Sequence, residues 1–155
     1  MDDVGVDQVH GRRIRLFELS AWAWQEPHVT PFILLVAADA SGRDRVQIQR
    51  FATDAIMSGC GYVCAWGEGC ELVHDVFDEA AAAVDRFVMS TWHAEESLAS
   101  ALYFALTNAH PDEDEFPDAD EAAVVLAVEA PWIEEVRRLV ADQDELARLG
   151  ISEEE

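Results

Sequence analysis

The chain contains no lysine, and all ten of its basic residues are arginine. A lysine Schiff base, a pyridoxal-phosphate lysine and the lysine of a phosphate-binding P-loop are thereby excluded. Positive charge of any kind is scarce, with 10 basic residues against 32 acidic ones and a formal net charge of -22. Such a surface repels phosphates and anionic lipids at long range, which argues against nucleic-acid binding by direct phosphate contact. Cysteine is scarce too: Cys60, Cys64 and Cys70 are odd in number and fall in one stretch. They make no secreted disulfide framework, and their C-x3-C-x5-C spacing fits no common zinc pattern. Neither a metal nor a cofactor is expected. The longest apolar runs, 32–38 and 122–128, are too short to cross a bilayer, so no membrane association is expected. Met1-Asp2-Asp3 opens without a basic-then-apolar leader, and the expected location is cytoplasmic.

What is present reads as one globular domain of 155 residues, half of them hydrophobic. Residues 1–13 form a loose lead-in and 151–155 a short acidic tail. Ile14 to Ser20 carries the partial alternation and arginines of an edge strand. Four apolar segments, Phe32–Ala38, Tyr62–Trp66, Phe87–Trp92 and Ala123–Glu129, read as core strands. Helices over 44–58, 70–83, 95–108 and 132–149 alternate with them. Val46, Phe51, Ala55 and Ile56 are expected to face inward on the first, and Leu98, Leu102, Ala105 and Leu106 on the third. Gly59 is placed to end the first in a left-handed conformation. The expected fold is a three-layer α/β sandwich. Its mostly parallel sheet is Rossmann-like or flavodoxin-like, with an additional N-terminal edge strand.

Open α/β sheets bind ligands beyond the carboxyl ends of their strands. Asp39, Trp66, Glu68, His93, Glu129 and Trp132 fall at those ends and are the candidate ligand-binding residues. Gly67-Glu68-Gly69 lies where a phosphate loop would sit, but Leu72 takes the third glycine's place and Glu68 repels anions, so ordinary turn chemistry accounts for it. Cys70, His74 and Asp78, spaced by four on one helix, are the candidate nucleophile, base and orienting group. Cys70 as a small packed residue on a polar helix face is the plainer expectation. His93 with Glu95 and Glu96 offers too few ligands from one segment for a metal. The seven carboxylates between Asp112 and Glu121 lack the spacing of a calcium loop and read as solvated.

The stretches Tyr62-Val-Cys-Ala-Trp-Gly-Glu-Gly-Cys-Glu-Leu-Val-His-Asp75 and Phe87-Val-Met-Ser-Thr-Trp-His-Ala-Glu-Glu-Ser-Leu98 resemble segments of an uncharacterised bacterial domain family of unknown function. The resemblance covers roughly residues 31–131. It implies a bacterial origin and transfers no catalytic role. Two function classes follow from the residues themselves. One is a small acidic binding or accessory protein engaging a basic protein partner, as immunity-type proteins and adaptors do. The other is a small-molecule or nucleotide-handling enzyme working at the strand-end edge. A deep pocket joining Trp66, Glu68, His93 and Trp132 would favour the enzyme. A GC-rich genome or a saline cytoplasm yields the same acidic, lysine-free profile, and the sequence sets no oligomeric state.

Overall fold

Two strands, β3 (Phe32–Ala37) and β6 (Ala123–Val128), are buried at every residue, as their unbroken apolar runs require of strands covered on both faces. They pair in parallel, Phe32 against Ala123 through Ala37 against Val128. The computed structural model describes residues 8–152, with side chains to Gly150. Around that pair lie β1 (Gln8–Val9), β2 (Arg12–Glu18), β4 (Cys60–Trp66) and β5 (Met89–Trp92). The six-stranded sheet has the order β1-β2-β6-β3-β4-β5. All pairings are parallel except β1 with β2, a two-residue antiparallel cap on the N-terminal edge.

Alternate side chains of each strand enter separate cores. Phe32, Leu34 and Val36 pack beneath α1 (Arg45–Met57) and α2 (Cys70–Ala83), with Ile48, Phe51 and Phe77. Ile33, Leu35 and Ala37 pack beneath α3 (Leu98–Thr107), α4 (Ile133–Ala141) and α5 (Gln143–Ser152), with Leu102, Leu106 and Val136. This is the α/β sandwich with a mostly parallel sheet that the strand–helix alternation implied.

The helix starts have identifiable causes. Asp44 accepts the Val46 amide at 2.9 Å and Ser97 accepts that of Ser100 at 3.0 Å, two side-chain N-caps. Gly59, at φ +114°, follows the Ser58 C-cap of α1 and turns the chain into β4. All four residues expected on the inner stripe of α3 are buried.

Four expectations need correction. The segment Phe87–Trp92 is not a core strand; the strand begins at Met89, lies at the edge of the sheet and buries none of its residues fully. Val46 does not face inward; it is 58% exposed, and Ile48 takes the inner position in its place. The single C-terminal helix over 132–149 is two, broken at Asp142, which leaves the helical region at φ -121° and ψ 85°. There its main-chain oxygen accepts the Leu146 amide and its carboxylate that of Glu145, starting α5. The lead-in is structured from Gln8, since β1 and the first residues of β2 lie within it. The rest of that lead-in and the acidic tail beyond Ser152 fall outside the described residues. Among the described residues, no helix is long and apolar enough to cross a membrane.

From β3 the chain steps outward through α1, β4, α2 and β5, then returns across the other face through α3 to insert β6 beside β3. The order of connection therefore reverses between β3 and β6. Their carboxyl ends flank the crevice that such a reversal leaves open. The acidic loop lies at the opposite end of the sheet. Phe116 and Pro111 cover Gly61 near the start of β4, and Ala123 donates its amide to the Pro31 carbonyl.

Candidate functional site

At the β3–β6 reversal, two short polar connections are locked together. The Asp39 amide donates to Glu129 Oε1 at 2.6 Å, and Glu129 Oε2 lies 3.6 Å from Arg43. Asp39 in turn accepts the Ser41 amide at 2.9 Å and the Ser41 hydroxyl at 2.5 Å. Those two donors, the hydroxyl first, hold the Asp39 carboxyl below its ordinary pKa, so it is ionised at neutral pH.

The β4–α2 connection passes so close to β3 that its glycines are obligatory. A Cβ on Gly67, at φ +113°, would sit 2.1 Å from the Ala38 carbonyl oxygen. One on Gly69, at φ +79°, would meet the Ser41 amide at 2.9 Å. The Ala40 amide donates to the Glu68 carbonyl at 2.7 Å, sealing the contact. Turn chemistry and close approach thus account for both glycines.

Next to this lies a cleft of about 610 Å³. Trp66 and Trp132 form its aromatic side, edge to face with centroids 5.3 Å apart. Asp39, Glu68, Glu71, Glu95 and Glu96 supply five carboxylates, and no arginine lines it. Of the six residues expected to bind ligand, Asp39, Trp66, Glu68, His93 and Trp132 line this cleft. Glu129 lines an adjoining one of about 470 Å³ with Ser41 and Arg43, and Asp39 and Trp132 are shared by both.

His93 forms the floor, its side chain 6% exposed. Nδ1 lies 3.1 Å from Glu96 Oε2 and Nε2 lies 2.9 Å from the Thr91 hydroxyl. Since the carboxylate only accepts, Nδ1 carries the proton and Nε2 accepts from Thr91 in the neutral ring. Ser100 donates to Glu96 Oε1 at 3.0 Å, and the Trp66 indole donates to the Glu96 carbonyl at 2.8 Å. Glu96 therefore orients both the histidine and one wall tryptophan. Thr91, His93 and Glu96 thus form a hydroxyl–imidazole–carboxylate series at the cleft.

The proposed nucleophile set is divided by the fold. His74 and Asp78 meet at 3.4 Å, but they converge on the Ser90 hydroxyl, 2.6 Å from His74 Nδ1 and 2.6 Å from Asp78 Oδ1. Cys70, 4% exposed, instead borders the cleft. Burial raises its thiol pKa, outweighing the backbone N–H groups of His93, Cys70 and Glu71 that favour the thiolate. All three cysteines are free and buried.

Ser90, Glu71 and the second role of Glu96 were not anticipated. Glu96 stands just before the Ser97 N-cap and reaches Ser100 in the first turn of α3, a local contact, whereas Ser90 stands sixteen residues from His74 and gave no local signal. Away from the cleft, His110, Glu113 and Asp120 each bring a ligand atom within 4.8 Å of the others. The group is open to water, with Asp120 hydrogen-bonded to His110 at 3.0 Å.

No curated protein and no solved structure matches this chain. Residues 14–143 match the family described as "Domain of unknown function (DUF7684)". The match runs from within β2 to the start of α5 and includes every residue of the cleft. The chain belongs to that family.

Proposed function

We propose that this is an acidic binding protein whose strand-end cleft receives a positively charged group, most simply a guanidinium or ammonium carried by a basic protein partner. One observation carries the reading: two tryptophans and five carboxylates line a single cleft that contains no arginine. A cation on a tryptophan face gains about 0.5–2 kcal/mol, and nearby carboxylates add to it while repelling phosphates. Cys70 beside the cleft is held as a thiol, which supports binding over thiolate catalysis there. Free, buried thiols suit a reducing, cytoplasmic setting.

The test is a tryptophan-fluorescence titration with agmatine, with an arginine-bearing peptide and with inorganic phosphate. Agmatine and the peptide should bind and phosphate should not. Trp132→Ala should weaken binding by about 2- to 30-fold, the span of one cation–π contact. Tighter binding of the peptide than of agmatine would identify a protein as the source of the cation, and the reverse a free small molecule. Phosphate binding, or no response to Trp132→Ala, would overturn the proposal.

A further inference from the structure

The two edges of the sheet are treated differently. On the N-terminal side, β2 carries Arg12, Arg13 and Arg15 and is capped by β1, a guarded edge. The other edge is β5, which pairs with β4 on one side and, among the described residues, with no further strand on the other. Residues 87–92 contain no proline and no cation, the usual protections of an edge. Phe87, Met89 and Trp92 are instead 52%, 39% and 44% exposed. They are three of the five large hydrophobic side chains exposed among the described residues.

These side chains serve both faces of the edge. Val88 enters the core under α2, so Phe87 and Met89 lie toward the opposite face. Trp92 lies on the α2 face against His74, ring centroids 4.4 Å apart. An added strand alternates its own side chains between the same two faces, so apolar residues of the incoming segment would find a neighbour on each.

The surrounding charge selects the occupant. Asp78 accepts the Ser90 hydroxyl, Asp75 lies beside His74, and the Phe87 amide donates to Glu115 at 3.4 Å. The nearby Arg86 turns away, its Nη1 directed at the Ile56 carbonyl. A second copy is a poor occupant. It carries the same charge of -22, and its own residues 87–92 offer nothing to pair with these carboxylates.

We propose that β5 is a docking edge that takes an extended, basic segment of a protein partner as a seventh strand, alternating apolar residues with arginine or lysine. The backbone supplies the ladder, Phe87, Met89 and Trp92 supply apolar contact, and Asp75, Asp78 and Glu115 meet the cations. The surface is separate from the cleft and stands or falls independently of it.

The probe is a short capped peptide alternating valine and arginine, compared with its valine–glutamate counterpart and with a version N-methylated at alternate amides. Binding is followed by anisotropy and by hydrogen exchange. The basic peptide should slow exchange at Met89–Trp92, while the acidic and N-methylated peptides should leave exchange there unchanged. The double variant Phe87→Arg, Met89→Arg should raise the peptide concentration needed for that protection by about tenfold or more. Both substituted side chains are exposed, and the N-methylated arm uses the wild-type chain, so a failure of the variant to fold leaves the test intact. Exchange protection confined to the cleft residues 66–71, equal protection of β5 by the N-methylated peptide, or protection of β5 by concentration-dependent dimerisation would each overturn the proposal.

Discussion

Cys64 sits fully buried in β4, and its thiol pKa is pushed up to about 12, mainly because the interior penalises the thiolate. Cys60 is shifted upward further for the same reason. Well below the ordinary thiol value of 9.0 both are neutral, folded or unfolded, and they give stability no pH dependence. Above it the unfolded chain releases protons that the folded chain keeps. Stability then falls as pH rises, by about 1.4 kcal/mol per pH unit for each thiol. For Cys64 the loss continues through to about 12. Urea midpoints measured across that alkaline range should show the decline, and Cys64→Ala should make it shallower, leaving the share of Cys60, whatever offset the lost sulfur imposes at neutral pH. Cys70 gives a second expectation, at the rim of the cleft. With its thiol pKa raised, it should react with iodoacetamide near neutral pH more slowly than free cysteine. His74→Ala should not change that rate, because His74 is committed to Ser90 and Asp78. Fast labelling that depends on His74 would restore the nucleophile reading.

The elements show which features local pattern determines. Helix α2 begins and ends at the residues its sequence implied, because Gly69 opens it and its apolar residues keep a 3.6 period. In α1 that period runs through Ile48, Phe51, Ala52, Ala55 and Ile56; Val46 is off it, which is why it faces water. The break at Asp142 was also readable, since Asp142 followed by Glu145 is the spacing of an N-cap. Strand-end residues were legible through the reversal rule for parallel sheets, whereas the Asp39–Glu129 tie spans ninety residues and exists only because β6 inserts beside β3. Such neighbours depend on strand order, which periodicity does not encode. Two substitutions test these supports. Asp44→Ala removes the α1 N-cap and should cost about 1 kcal/mol in urea denaturation. Gly67→Ala forces a side chain onto the Ala38 carbonyl at positive φ and should cost about 1–3 kcal/mol, with agmatine binding reduced as the cleft wall shifts.

Charge acts on the whole molecule at once, and in opposite senses on folding and on binding. With 32 acidic side chains and 10 arginines, most carboxylates have no cation to meet. Exposed pairs such as Arg45–Glu79 and Arg138–Glu145, each at 2.6 Å, contribute little in water. Self-repulsion therefore outweighs attraction, and added salt should stabilise the fold. Each kcal/mol so relieved raises Tm by about 2–4 °C. A Tm that falls with salt would show the ion pairs to dominate. Capture of a cation should respond the other way, because the field that steers it is screened beyond about 8 Å at physiological ionic strength. The acidic loop separates steering from contact, since Phe116 anchors it at the end of the sheet away from the cleft. Converting Asp112, Asp114, Asp118 and Asp120 together to asparagine should slow association of an arginine-bearing peptide at low salt and leave its dissociation rate unchanged. At high salt the slowing should vanish. A change in the dissociation rate would instead place the peptide on the loop itself, and a salt-independent association rate would leave the net charge without a part in recognition.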